Sequence, residues 1–401
     1  MNPLFSVIIP TYNRLSILKE TLHMYEMQEN LDFEFEIILV DDGSTDDTYK
    51  FLSEYKSSFF PLFVYHQSNQ GPAQARNLGI SQAKGKYLLI TGDDIVPSTN
   101  FLAEHYKAHQ DSSSNDVAVL GKTVWHPNLN INSVMKHIDG IGAQQFSYYY
   151  LKNRMKLDFR HFYTSNISIL RSELTKIDKL FDTDFYYAAY EDVEFSYRLM
   201  GTKSNIIYYE DIIAYHHHEY NLHSFCQRQR RAGRMACVFK NKHPEIAEKI
   251  GFADLNRLLE CTNTKSTPLS THLLEEWESF IVQLFEKYTY HSHEWLDDVY
   301  LGIFRYFYFK GIIEDTYNEQ KANCLLPNLI FACLSQVIQK LISNESTSFS
   351  SNDLLFLNQI LHDSSKYSNA FQVAKYTKIK SGLKFIKQII KSVYFKLLYS
   401  K

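Results

Sequence analysis

The sequence predicts an α/β domain over residues 1–245, a parallel sheet covered by helices on both faces, followed by an α-helical domain over residues 246–401. Two observations carry this. Short apolar, β-branched runs alternate with helix-compatible stretches through the first hundred residues, the pattern of βαβ units. Beyond residue 250, amphipathic helical periodicity predominates, broken by Ser/Thr-rich connectors.

The first strands are expected at FSVIIP (5–10), FEIILV (35–40), LFVYH (62–66) and KYLLIT (86–91). Each is compact and apolar, as strands buried on both faces are. Helices are expected between them at 15–28, 46–55 and 72–83. In an open parallel sheet, ligands sit beyond the carboxyl ends of the strands, and polar residues cluster there. The region 110–220 is mixed, with a strand signal at 205–209; a basic helical stretch follows at 221–240, and HPE (243–245) marks a break after it. Helices are expected at 273–287, 325–343 and 353–362.

Composition bounds the function. With 45% hydrophobic and 22% charged residues the chain can build a substantial core, and a net charge of -3 argues against gripping nucleic acid with the whole surface. Cys226, Cys237, Cys261, Cys324 and Cys333 are odd in number and scattered, which suggests neither a disulfide framework nor a zinc knuckle and fits a reducing compartment. The N-terminus lacks a basic region followed by an apolar stretch, and no uninterrupted apolar run reaches about 18 residues. The expectation is a soluble or peripheral, cytoplasmic protein.

Four segments at strand ends carry chemistry. PTYNR (10–14) offers Tyr12 as a planar face for a base and Arg14 as a cation near a helix start. DDGSTDDT (41–48) places Asp41 and Asp42 at a strand tip. Gly-Ser-Thr-Asp is ordinary turn and cap chemistry, whereas two adjacent carboxylates are not. A carboxylate there can accept from a pyrimidine N–H or a ribose hydroxyl. NQGPAQARNLGI (69–80) opens a helix with Pro72 in its first turn and sets Arg76 and Asn77 where a diphosphate or ribose can be met. TGDDIVP (91–97) exposes Asp93 and Asp94, either a site for a hard divalent cation such as Mg2+ or Mn2+ or a solvated turn pair.

In order and spacing these four segments resemble family 2 glycosyltransferases of the GT-A fold, over about residues 4–240. The resemblance implies a Rossmann-like nucleotide-diphospho-sugar transferase domain. It implies that Pro10, Thr11, Tyr12 and Asp42 hold the nucleoside, that Arg76 and Asp93 contact the nucleotide sugar, and that Asp94 binds the metal. One departure is plain: the family's Asp-x-Asp metal motif has Gly92 at its first position here. YTSNISILR (163–171), FDTDF (181–185) and YEDVEFSYRL (190–199) resemble the acceptor side of the same family, where the Asp192 position, beside Glu191, serves as general base. Read without the family, the Glu191-Asp192 pair is either that base or ordinary acidic charge in a first helical turn. AYHHHEY (214–220) matches the place of a metal-completing His, with His216 first and His218 second. Arg228, Arg230, Arg231 and Arg234 follow, either to neutralise an anion or as a solvated basic face. The segment 375–401 carries eight Lys and no acid beside an apolar stripe, either a membrane-surface helix or a helix docked on its neighbours.

The combined expectation is an inverting transferase using a divalent metal (Mn2+ or Mg2+). It would move a sugar from a nucleotide-sugar donor, a UDP-sugar foremost, to a hydroxyl of a glycan or lipid-linked glycan in surface polysaccharide synthesis. It would work at the inner face of an anionic membrane, with no nucleic-acid partner. Its rivals are a nucleotidyltransferase, which would want a Gly-rich basic loop that PTYNR lacks, and a catalytically impaired glycan- or nucleotide-binding relative.

Overall fold

A computed structural model describes residues 2–112, 118–142, 144, 146, 148–203, 205–250, 252–260, 267–291, 293, 295–343 and 349–367. The chain divides into two compact units, Met1–Tyr220 and Asn221–Lys401. The Lys-rich 375–401 segment lies outside the described residues, as does Cys261.

The first unit runs β1 (Phe5–Thr11), α1 (Leu15–Glu26), β2 (Phe35–Asp41), α2 (Thr48–Glu54), β3 (Leu62–His66), α3 (Pro72–Gln82), β4 (Tyr87–Ile90), β5 (Ile95–Pro97) and α4 (Phe101–Asp111). It continues with β6 (Ala118–Trp125), α5 (Ser133–Asp139), β7 (Lys156–Leu157), β8 (Ile167–Leu170), α6 (Glu191–Met200) and β9 (Ile206–His216). One nine-stranded sheet orders them β3-β2-β1-β4-β8-β6-β9-β5, with β7 on β9. The four expected strands and three expected helices are present. β1 and β2 are buried on both faces. Val7, Ile9, Ile37 and Leu39 pack with Leu18 and Leu22 of α1 and Phe101 and Leu102 of α4. On the other face, Gly79 of α3 lies against the side chains of Ile8, Ile38 and Val40.

Beyond β4 the sheet is mixed, not parallel. β8 runs antiparallel to both β4 and β6, and β5 antiparallel to β9. Two reversals restore the direction, so β6 and β9 run the same way as β1 and β4, and their carboxyl ends reach the same sheet edge. β9 is also longer than the 205–209 signal. Exposed Glu210 and Asp211 interrupt the apolar run at a register shift, where Tyr209 and Ile213 pair with consecutive residues Gly121 and Lys122. A bulge hides the strand's second half from a pattern search.

The second unit holds α7 (Leu222–Lys242), α8 (Phe252–Glu260), α9 (Thr271–Glu286), α10 (Trp295–Thr316), α11 (Glu319–Ser343) and α12 (Ser351–Ser365). The division falls one helix before the boundary expected at residue 245, because α7 packs along α10. A Cβ on Gly233 would lie 2.0 Å from the Tyr308 carbonyl oxygen, and one on Gly311 2.0 Å from that of Arg230, so the two backbones touch only because both positions are glycine. Arg230 and Arg234 point at Glu314 of α10, at 2.7 and 3.2 Å. That accounts for half of the basic run as packing within this unit rather than as an anion site or a solvated face. Within α11, Glu319–Gln339 is long and apolar enough to cross a bilayer by length and composition, and 67% of it is buried, as in a core helix.

Candidate functional site

The carboxyl edge of the sheet gathers the ends of β1, β2, β4, β6 and β9. Thr11 pairs in register with Asp41, and Ile95 with His216. This second pairing sets the turn before β5 against the end of β9, and the His217 N–H donates to the Asp94 carbonyl at 2.8 Å. Residues 94 and 216–218 therefore meet.

The three histidines, one ending β9 and two following it, divide between two sets of partners. His216 Nε2 lies 3.6 Å and His218 Nδ1 3.8 Å from Asp94 Oδ2. The Nη1 of Arg14 is 3.6 Å from the same oxygen and 3.1 Å from His218 Nδ1. His217 points elsewhere, to Glu20 Oε2 at 2.7 Å, while Glu20 Oε1 meets His126 Nε2 at 3.3 Å.

Asp94, His216 and His218 offer donor atoms within 4.8 Å of one another, and Glu20, His126 and His217 do so as well. The chemistry of the two sets differs. In the first, the carboxylate is too far from either ring for a hydrogen bond, and His216 Nδ1 has no hydrogen-bond partner. One carboxylate and two imidazoles suit a transition-metal ion such as Mn2+. In the second, the rings of His126 and His217 stack face to face, 4.3 Å apart and 3° from parallel. Glu20 already pairs with both of these rings, with His217 Nδ1 at 2.7 Å and His126 Nε2 at 3.3 Å. The second set is a hydrogen-bonded clamp that holds the tip of β9.

Asp94 and the neighbouring Asp93 are held in opposite states. Burial raises Asp94, but His216, then Arg14 and His218, outweigh it and hold its carboxyl well below the usual range. Burial, then the neighbouring Asp94 charge, push Asp93 up, against Arg14 and the hydrogen bonds from Thr11 and Tyr12. Thr11 Oγ1 donates to Asp93 Oδ2 at 2.7 Å. Sequence reading missed Asp139 at the end of α5, whose carboxyl burial pushes to about 6 while Lys122 and His216 pull it down. No sequence signal marked it.

The nucleoside-side residues surround this edge. Thr11 is buried and spent on Asp93, whereas Tyr12 is 45% exposed, the face a base would need. Pro10 closes β1 beside them, in register with Val40. Asp42 accepts from Gln67 Nε2 at 2.7 Å, Gln70 N at 2.9 Å and Gly71 N at 2.8 Å. It pins the β3–α3 loop with three of roughly four lone-pair positions. Asn13, given no role from sequence, accepts from the backbone N–H of Thr45 at 2.7 Å and Asp46 at 3.2 Å and so joins the first two loops. Gly43 is needed there: its φ is +77°, and a Cβ would lie 2.7 Å from Asn69 N.

The acceptor side is drawn in by α3. Arg76, expected to contact the nucleotide sugar, is buried, pairs with Glu191 at 2.9 Å and lies over the Phe181 ring. Asn77, read as meeting diphosphate or ribose, instead exchanges two hydrogen bonds with the backbone of Phe181, at 2.8 and 2.9 Å. Glu191 and Asp192 open α6 after Tyr190, a bulky residue at φ 68°, and strain of this kind collects at functional sites. Burial, then the Glu191 charge, push Asp192 up to about 7, against Arg76 and backbone N–H donors.

Residues 6–177 match the family model described as Glycosyl transferase family 2. The uncharacterized glycosyltransferase YfnE of Bacillus subtilis is 35% identical over 109 residues, 27% of this chain and 28% of that protein. Glycosyltransferase GlyG of Streptococcus pneumoniae is 36% identical over 120 residues, 29% of this chain and 38% of its own. The chain thus spans well under half the length of either relative. Among solved structures, S. aureus TarS 1–349 in complex with UDP aligns with a TM-score of 0.46 and 18% identity, over 86% of this chain and 94% of that one.

Proposed function

We propose, from the match of residues 6–177 to the Glycosyl transferase family 2 model, that the chain is an inverting glycosyltransferase. It takes a sugar from a nucleoside diphosphate sugar, a UDP-sugar foremost, and places it on a hydroxyl of a glycan acceptor in surface polysaccharide synthesis. The observation that carries this reading is the meeting of Asp94, His216 and His218 with Arg14, at the sheet edge that also bears exposed Tyr12.

Tyr12 stacks on the base, and the loop that Asp42 pins shapes the nucleoside pocket. Asp94, His216 and His218 are the residues that would hold a divalent ion, which when bound neutralises charge on the departing diphosphate. Asp192 takes the proton of the acceptor hydroxyl. That oxygen attacks the anomeric carbon from the face opposite the diphosphate, the new C–O bond forms as the sugar–phosphate bond breaks, and the configuration inverts. A base with its carboxyl near 7 suits the task, because it is basic enough to take the proton and about half of it is ionised at neutrality.

Gly92, at the first metal position of the family motif, favours one rival, a nucleotide- or glycan-binding protein without turnover. The deciding experiment is a thermal-shift panel of nucleotides and sugar nucleotides with and without Mn2+, followed by an assay for nucleoside diphosphate release. A ligand at one hundred times its dissociation constant adds roughly 2.7 kcal/mol of stability, which is readily seen. Binding with release supports the transferase, and binding without release from any donor selects the rival. From sequence alone, the basic 375–401 segment supports work at the inner face of an anionic membrane on a lipid-linked acceptor.

A further inference from the structure

Arg14 stands where an incoming ion would have to bind. Its backbone N–H is tied to Thr48 Oγ1 at 3.3 Å. Its side chain crosses the mouth of the donor set, with Nη1 3.1 Å from His218 Nδ1 and 3.6 Å from Asp94 Oδ2, and Nε 4.0 Å from Asp93 Oδ1. A guanidinium only donates, so His218 Nδ1 is the acceptor of that hydrogen bond. The lone pair it uses is the one an ion would need. The same cation also meets the charge of Asp94 that an ion would need. One lone pair and one carboxylate oxygen cannot serve both.

We infer that Arg14 is a built-in competitor for the divalent ion, closing the Asp94–His218 pair until the diphosphate of a donor draws it away. This rests on the nucleotide-sugar reading above. The exchange is favourable for a chemical reason. Arg14 sits beyond ordinary hydrogen-bond distance from both acidic side chains, so it gives up no hydrogen bond to either, whereas a diphosphate offers the planar bidentate contact that a guanidinium fits best. Its side chain is 30% exposed, so it has room to turn outward. The consequence is positive coupling: nucleotide strengthens metal binding, and by reciprocity metal strengthens nucleotide binding to the same extent. The protein alone would hold the ion weakly and so would not take up free Mn2+ before a donor arrives.

The test measures Mn2+ binding to the full-length protein through the electron paramagnetic resonance signal of free Mn2+, with and without UDP. R14Q should bind Mn2+ more tightly than wild type when UDP is absent, by about five- to 150-fold, the usual span of such coupling. It should also lose most of the gain that UDP confers on wild type, and H218A placed on R14Q should erase the tighter binding. Unchanged or weaker Mn2+ binding by R14Q overturns the inference, as does a UDP-induced gain equal to that of wild type. Failure of the donor reading would look different. UDP would then bind neither protein under any condition, while the comparison without UDP would still report on Arg14.

Discussion

The Arg76 guanidinium donates to Glu191 Oε1 at 2.9 Å, across 115 residues of sequence, with both side chains under a tenth exposed. The pair ties α3, which follows the third strand, to the start of α6. It also separates the roles of two adjacent acids. Glu191 is committed to a buried cation, which leaves Asp192 as the carboxylate for proton transfer.

Asp192→Asn is expected to lower turnover by about two to four orders of magnitude while donor binding stays nearly intact. Steady-state kinetics beside UDP titration checks this. Near-normal turnover would remove Asp192 as the base.

Glu191→Ala should act on stability first. Removing one partner of a buried ion pair leaves Arg76 uncompensated and costs about 3–5 kcal/mol. Denaturant unfolding of the two variants should therefore rank them oppositely to the turnover assay. Equal stability of Glu191→Ala and wild type would contradict the structural role.

Rate should rise with pH through about 7, because Asp192 must lose its proton to act and its carboxyl lies near there. The stability linkage has the opposite slope. A carboxyl raised in the folded state binds more protons folded than unfolded, so its contribution is fully present below about 4, the unfolded value, and is lost as pH rises to about 7. Asp192→Asn should remove both trends. A pH–rate profile flat from 5 to 8 would argue against this assignment.

Asp94→Ala should abolish the Mn2+-dependent part of UDP binding, and His216→Ala or His218→Ala should weaken it. Glu20→Ala, in the clamp behind them, should leave the number of bound ions unchanged. Isothermal titration with and without EDTA reads all four variants. UDP binding that is indifferent to EDTA in the wild-type protein would mean that side chains alone carry the diphosphate.

Full-length protein should sediment with anionic liposomes at low salt and be released as salt rises, because each Lys near such a surface contributes about 1 kcal/mol that screening removes. Protein truncated after Ala374 should stay in the supernatant and still release nucleoside diphosphate. If the truncated protein is unfolded, the segment is a core element instead. If the full-length chain ignores anionic vesicles at low salt, the membrane reading fails.

The sequence by itself determined the first four strands, the helices between them, and the polar clusters at the strand ends. Those features are local: a buried strand is an apolar run, and a turn with two carboxylates stands out against ordinary turn chemistry. The tertiary structure alone decided which of those side chains meet. Ile95 pairs with His216 through a strand of three residues, too short to leave a pattern, and that pairing brings Asp94 to His216 and His218. The bulge after Tyr209 concealed half of the strand that carries them. Whether Arg76 and Asn77 face a ligand or the 181–191 segment is also a long-range matter, because helical spacing gives a residue's face and not its partner. A carboxylate's neighbours set its proton affinity, so the contrast between Asp93 and Asp94, identical and adjacent in sequence, arises only once Thr11, Arg14 and the two histidines close around them.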